Sequence, residues 1–104
     1  MAETRILELT GRMDNATSAS VDAQINTALD AAPSGLVLDL AGLTFISSIG
    51  LRTLLMAAKR CQKQNVKLAF AVVPPSIADL FEISGLQSLF RIYPDRVSAV
   101  AAVQ

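Results

Sequence analysis

The sequence predicts a single α/β domain, residues 1–104, with a mixed, mostly parallel sheet and crossover helices. Short apolar runs alternate along the whole chain with segments whose apolar residues recur at helical spacing. The run "LVLDL" at residues 36–40 is apolar apart from Asp39, which is typical of a strand buried on both faces of a parallel sheet. A length of 104 residues suits one domain.

The first half of the chain is predicted to be strand, helix and strand. Residues 4–10 form the first strand, and Gly11 ends it. Asn15 or Thr17 caps the helix that follows, and Pro33 with Gly35 stops it. The apolar stripe of this helix comprises Val21, Ile25, Ala28, Leu29 and Ala32.

The second half is predicted to repeat this alternation. Ser76 and Asp79 have the spacing of a capping box for a short helix, and Gly85 is placed to end that helix in a left-handed conformation. The other predicted elements are a helix at 49–64, a strand at 67–73, a strand at 90–93 and a helix at 95–103. The predicted core comprises Leu38, Leu54, Leu55, Leu68 and Phe70, with Cys61 on the apolar face of the second helix.

Composition argues against most enzymes and several kinds of partner. The chain has no histidine, so no Ser-His-Asp triad, Cys-His pair or histidine-bearing zinc site can be built from it. Both common glycine-rich phosphate loops are missing, and we expect no catalytic residue, cofactor or metal. Nine basic residues balance nine acidic ones, so no global field attracts nucleic acid or an acidic membrane.

The location predicted from the sequence is the cytoplasm. The start "MAETRILEL" lacks the basic and long apolar regions of a signal peptide. No run approaches the ~20 apolar residues of a membrane helix. A lone cysteine cannot form an internal disulfide and fits a reducing compartment.

The stretch "FISSIGLRTLL" at residues 45–55 places two hydroxyls where a strand turns into a helix. Ser48 is predicted to cap the helix, and this role alone is a sufficient explanation for a serine there. The same position tolerates a phosphate, because free N–H groups and the positive end of the helix dipole meet there. Arg52 lies on the same helix face and can screen the added charge, and Gly50 leaves room beside the turn.

Three stretches resemble the STAS family, named for sulfate transporters and anti-sigma factor antagonists, and specifically its anti-sigma factor antagonist type. "LVLDLAGLTFISSIGLRTLL" follows the family pattern of a strand ending in Asp, a D-S-[ST]-G turn and a helix opening with Leu. "LTGRMDNAT" resembles the family's G-x-[hydrophobic]-D turn and places Asp14 at its acidic position. "LFEISGLQSLFRIYPDRVSAV" resembles its C-terminal pattern. The chain departs from the hallmark in that Ser47 replaces the Asp and Ile49 the second hydroxyl residue.

The resemblance implies partner switching. The unphosphorylated domain binds an anti-sigma factor or related serine kinase, the kinase phosphorylates Ser48, and a serine phosphatase reverses the mark. Ser47 is the alternative phosphorylation site. The free protein is expected to be a monomer. The predicted partner surface comprises Asp14, Ser47, Ile49, Gly50 and Arg52.

Two other functions remain open from the sequence. One is a non-phosphorylated STAS scaffold subunit of a bacterial lipid-transport complex. The other is a small-molecule sensor that uses the same loop.

Overall fold

Four parallel strands form the main sheet, and two more form a small parallel sheet beside it. A computed structural model describes residues 3–104. The strands are β1 (Thr4–Glu8), β2 (Gly11–Met13), β3 (Gly35–Asp39), β4 (Leu43–Ile46), β5 (Lys67–Ala71) and β6 (Ile92–Tyr93); the helices are α1 (Ser18–Asp30), α2 (Ser48–Gln64), α3 (Pro75–Ile83) and α4 (Arg96–Val103). Within residues 3–104, no helix combines the length and apolar composition needed to span a bilayer.

The main sheet has the order β1-β3-β5-β6, and the small sheet pairs β2 with β4. In the main sheet Glu8 lies opposite Asp39, and Asp39 lies opposite Ala71, so the carboxyl ends of the strands share one edge. Every strand pair in the described part of the chain is parallel. The predicted α/β fold with a mostly parallel sheet and crossover helices is therefore confirmed.

Side chains of β3 alternate between two layers of helices. Leu36 and Leu38 belong to the larger core, which also contains buried residues of α1 and α2. Val37 packs in a second cluster with Ala99 and Val103 of α4. The strand is apolar throughout because helices cover both of its faces, as the sequence predicts.

Three of the five predicted core leucines and phenylalanines are fully buried. Leu38, Leu54 and Phe70 have no exposed surface. Leu55 and Leu68 are only partly buried. The reason is topological: Leu68 lies at the edge of the main sheet, since β6 pairs only with Phe70 and Ala71 and leaves the first half of β5 uncovered.

The core position predicted for Cys61 is confirmed. Its side chain is buried in the larger core. Burial raises the pKa of the thiol to about 11, against the opposing effect of the neighbouring Arg60 charge. The group therefore stays protonated near neutral pH, which fits a packing role.

The prediction that the first strand runs to Thr10 and is ended by Gly11 is wrong, because β1 ends at Glu8. Gly11 begins β2, which leaves the main sheet and pairs with β4. Gly11 has a φ of 75°, a left-handed conformation that glycine adopts without the strain of a side chain. This change of direction brings Met13 into the core beside Ile46.

The first helix is shorter than its apolar stripe suggests. It ends at Asp30, and Ala32 lies beyond it in a left-handed conformation with a φ of 51°. Ala32 is exposed, so it does not extend the buried face of α1.

The capping box predicted at Ser76 and Asp79 is wrong. The N-cap of α3 lies two residues earlier, at Pro74, with Pro75 in the first turn, and no side chain caps the helix. Proline suits this position because its missing N–H is one that the first turn leaves unpaired. The left-handed conformation predicted for Gly85 is confirmed, with a φ of 73°.

The cap of α2 is Ser47, and the prediction of Ser48 is wrong by one residue. Ser47 is extended, with φ −89° and ψ 173°, and its hydroxyl accepts a hydrogen bond from the Gly50 N–H at 3.1 Å. The Leu51 N–H donates to the Ser47 carbonyl at 2.9 Å, which closes the first turn. Ser48 is thus the first residue inside the helix.

We expect Leu54→Ala to lower the free energy of unfolding by about 2–5 kcal/mol, because it leaves a cavity in the core. Met56→Ala, on the exposed side of the same helix, is the matched control and should change it by less than about 0.5 kcal/mol. Urea denaturation of both variants measures this. Equal losses would contradict the packing described for α2.

We expect Ser47→Ala to destabilise the protein by about 1 kcal/mol, because the cap of α2 is lost. Ser48→Ala should stay within about 0.5 kcal/mol of the wild type, because the Ser48 side chain caps nothing. Thermal and urea melts of the two variants test the assignment. A larger loss for Ser48→Ala than for Ser47→Ala would return the cap to Ser48.

Candidate functional site

The small sheet brings the two predicted site loops together. Met13 of β2 lies opposite Ile46 of β4, and Asp14 and Ser47 are the residues that follow each of them. The Ser47 N–H donates to the Met13 carbonyl at 2.8 Å, which continues the pairing past the end of β4. The first turn of α2 and the loop before α1 therefore lie side by side at the carboxyl ends of two parallel strands.

The two serines have different surroundings. Ser47 is half-buried and its hydroxyl is engaged with the Gly50 N–H. Ser48 is exposed, and within residues 3–104 no side-chain hydrogen bond engages its hydroxyl. The free hydroxyl stands at the first position of a 17-residue helix, where the positive end of the dipole favours an anion.

Asp14 organises the loop before α1. Its Oδ1 accepts hydrogen bonds from the N–H groups of Ala16 at 3.0 Å and Thr17 at 3.3 Å, and its Oδ2 lies 3.6 Å from Arg12 Nε. Desolvation alone raises the pKa of Asp14, but these hydrogen bonds, together with those from the Thr17 and Arg12 side chains, lower it below its usual value. The carboxylate is therefore ionised and held in place beside the serine turn.

Asp14 also takes over the capping role predicted for Asn15 or Thr17. Thr17 occupies the N-cap position of α1 but makes no side-chain cap bond, because its hydroxyl oxygen accepts from the Asp14 N–H at 3.0 Å and donates to the Arg12 carbonyl at 2.6 Å. The Asp14 main-chain carbonyl accepts from the Ser18 N–H at 2.9 Å and the Ser18 hydroxyl at 2.7 Å. Asn15 is exposed.

Gly50 faces inward, so the prediction that it leaves room for a partner is wrong. It is buried, and a Cβ there would lie 2.7 Å from Ile46 Cγ1 and 2.8 Å from the Met13 carbonyl oxygen. Both distances are shorter than any ordinary contact. The glycine allows α2 to approach β2 and β4 closely.

Ile49 and Arg52 remain on the surface. Ile49 is 45% exposed although it is large and apolar, and Arg52 is exposed. Met56, seven residues after Ile49 and so on the same helix face, is 52% exposed. These residues extend from the serine turn along the outer side of α2.

Two neighbouring residues were not predicted from the sequence. Phe45 of β4 is 38% exposed, and the Arg12 guanidinium lies over its ring, 4.2 Å from the centroid. Phe45 lies opposite Arg12 in the register of the small sheet. The only sequence signal was a large aromatic residue two positions before the serine pair, which periodicity assigns to the core.

Asp39, at the end of β3, has a structural role. Its Oδ1 accepts from the Ala41 N–H at 2.9 Å, and its Oδ2 lies 2.5 Å from Arg96 Nε. Arg96 also pairs with Glu8. Among residues 3–104, no three Asp, Glu, Cys or His side chains are grouped as metal ligands are.

Comparison with known proteins shows the family of the chain. The model of the STAS domain family matches residues 2–99. BtrV of Bordetella bronchiseptica, named as an anti-sigma factor antagonist, is 34% identical over 94 residues, which cover 90% of this chain and 81% of the relative.

Solved structures share the fold. An anti-sigma factor antagonist from Mycobacterium paratuberculosis superimposes with a TM-score of 0.85 at 24% identity, over 94% of this chain and 83% of that one. The phosphorylated form of SpoIIAA, a Bacillus cell fate determinant, gives 0.74 at 21% identity, over 100% of this chain and 94% of that one. On the family match across nearly its whole length, the chain belongs to the STAS domain family.

Proposed function

We propose that this protein is an anti-sigma factor antagonist that switches partners when Ser48 is phosphorylated. The observation on which the proposal rests is the exposed, unengaged Ser48 hydroxyl at the N-terminus of α2, beside the ionised Asp14. The name of the related BtrV and the phosphorylated form of SpoIIAA support the same role. In this role the protein is a substrate and a switch in the cytoplasm, a monomer when free, and not an enzyme.

The unphosphorylated surface suits a protein partner. Phe45, Ile49 and Met56 offer exposed apolar area, and Arg52 and Asp14 supply opposite charges at its rim. Apolar centres with a polar rim are typical of protein interfaces. We infer that an anti-sigma factor with serine kinase activity binds here and releases its sigma factor.

Ser48 is the better phosphate acceptor of the two serines. Transfer to Ser47 would use the oxygen that caps α2 and would need a half-buried hydroxyl to leave its hydrogen bond. Transfer to Ser48 disturbs no such bond. The kinase would move the γ-phosphoryl group of ATP to Ser48 Oγ, with the hydroxyl proton lost to a base and ADP released; a phosphatase would hydrolyse the ester with water to inorganic phosphate.

The added phosphate separates the complex without unfolding the domain. At the helix N-terminus, the free N–H groups and Arg52, four residues on, offset its charge of about −1.5 to −2. Within the interface the same charge must be desolvated next to the Asp14 carboxylate. A charge that is buried at an interface without a partner lowers the binding free energy by several kcal/mol, which is enough to separate the complex.

We expect phosphate on Ser48 when the protein is incubated with its partner serine kinase and ATP. Phosphopeptide mapping by mass spectrometry locates it, and Ser47→Ala serves as the control because it keeps the acceptor. Ser48→Ala should take up no phosphate. Phosphate only on Ser47 would overturn the assignment, and stable association with an ATP-binding subunit without any phosphate would favour the scaffold function.

We expect Ser48→Asp to bind the kinase about a hundredfold more weakly than Ser48→Asn. The asparagine side chain has nearly the same shape as aspartate but carries no charge. Both should melt within a few degrees of the wild type, because Ser48 does not cap the helix. Titration calorimetry measures the affinities. Equal affinities for the two variants would show that charge at position 48 does not control binding.

A further inference from the structure

A second surface of the protein is a groove of about 570 Å³ along the outer edge of β5. We call it the edge groove. Leu55, Ala58 and Lys59 of α2 form one wall, Val103 of α4 contributes to the other, and Leu68 of β5 lines it between them. Its third side is the segment that leads into β6, which includes Ser88, Leu89 and Arg91. The groove thus lies between two helix layers, at the level of the main sheet.

The backbone of β5 is unpaired where it lines the groove. The Lys67 N–H donates to Ser34 at 3.2 Å on the β3 side, so by alternation the Leu68 N–H and C=O face the other way. On that side the pairing with the β6 segment begins only at Phe70, whose N–H donates to the Arg91 carbonyl at 2.8 Å. Within the described residues, Leu68 therefore has a free donor and acceptor at the sheet edge.

The charges around the groove have one sign. Lys59, Lys67 and Arg91 line it, and none of its lining residues is acidic. The four ion pairs found within residues 3–104 involve other cations, Arg12, Arg60 and Arg96. Lys67 Nζ does contact the main-chain oxygen of Gln104 at 3.2 Å. Lys59 and Arg91 are exposed and positive in a protein whose formal net charge is zero.

The groove also has apolar surface in reach of a bound chain. Leu89 is 59% exposed, and Leu55 and Ala58 are half-buried on the wall formed by α2. An extended peptide places alternate side chains on opposite faces, so one set would meet this wall and the backbone would meet Leu68. Addition of a strand to an exposed sheet edge is a common mode of peptide recognition.

We propose that the edge groove binds an extended, acidic segment of a partner protein, which adds a strand beside Leu68 of β5. The charges select this occupant: acidic side chains would complement Lys59 and Arg91, whereas a second copy of this chain would place the same cations against each other. The groove lies away from Ser48, because Lys59 is eleven residues after Ser48 and so about 16 Å along α2. The proposal does not depend on phosphorylation of Ser48.

The test uses a fluorescein-labelled heptapeptide of alternating glutamate and valine, followed by fluorescence anisotropy with the whole chain. We expect saturable binding that Arg91→Glu and Lys59→Glu each weaken about tenfold. Arg5→Glu, on the opposite edge of the main sheet, makes the same charge change and should leave the affinity within about twofold. Equal weakening by Arg5→Glu and Arg91→Glu would overturn the proposal.

Two further probes separate strand addition from charge attraction. The same peptide with N-methylated alternate residues keeps its charge but loses half of its backbone donors, and we expect it to bind about tenfold more weakly. The unmodified peptide should slow hydrogen exchange at the Leu68 amide. An unchanged Leu68 amide, or tighter binding of an oligothymidylate of equal charge, would refute a peptide strand in the groove.

Peptide binding in the edge groove should not depend on the charge at position 48. Ser48→Asp should bind the peptide as the wild type does, because its charge lies at the other end of α2. A peptide that fails to bind the wild type overturns the edge groove alone and leaves the role of Ser48 untouched.

Discussion

The close approach of α2 to the small sheet at Gly50 is the constraint on which the candidate functional surface depends. No side chain fits there, because the Met13 carbonyl and the Ile46 side chain already occupy the space. The contact fixes the distance between the first turn of α2 and the small sheet. It thereby allows the Ser47 N–H to donate to the Met13 carbonyl. The serine turn and the Asp14 loop thus form one surface, although Asp14 and Ser47 lie 33 positions apart in the chain. A preorganised surface of this kind loses little conformational entropy on binding.

The larger elements of the fold could be predicted from the sequence, since their patterns reflect burial. The continuous apolar run of β3 has few explanations other than a strand covered on both faces, and the stripe of α2 repeats over four turns. The shorter features depend on the tertiary structure. A three-residue strand such as β2 has no period to detect, and the partial exposure of Leu68 follows from how late β6 begins along β5.

The site was predictable only in part for the same reason. Two adjacent serines offer the same capping chemistry, and the choice of Ser47 is made by its extended backbone, which the pairing of β2 with β4 imposes. The closeness of Asp14 to the turn followed from a family resemblance, and no spacing in the sequence implies it. Phe45 was missed because an aromatic residue in a strand usually points to the core, whereas here the Arg12 guanidinium covers its ring.

Ser47 also explains how the chain departs from its family's pattern without losing the helix start. Aspartate and serine are both strong N-caps, so the replacement retains the first hydrogen bond of α2. It removes a negative charge next to Ser48, which leaves Asp14 as the acidic group of the site loops. Ser47 thus caps α2, whereas the Ser48 hydroxyl is exposed.

The Arg96 side chain has a consequence for how the domain unfolds. It ties α4 to two strands at once, through the buried Asp39 and through Glu8, while Ala99 and Val103 seal the far face of the sheet. Detachment of α4 would break both ion pairs and expose an apolar face of the sheet to water at the same time. The C-terminal helix therefore belongs to the cooperative unit of the fold, and the main sheet loses its cover only when the whole domain unfolds.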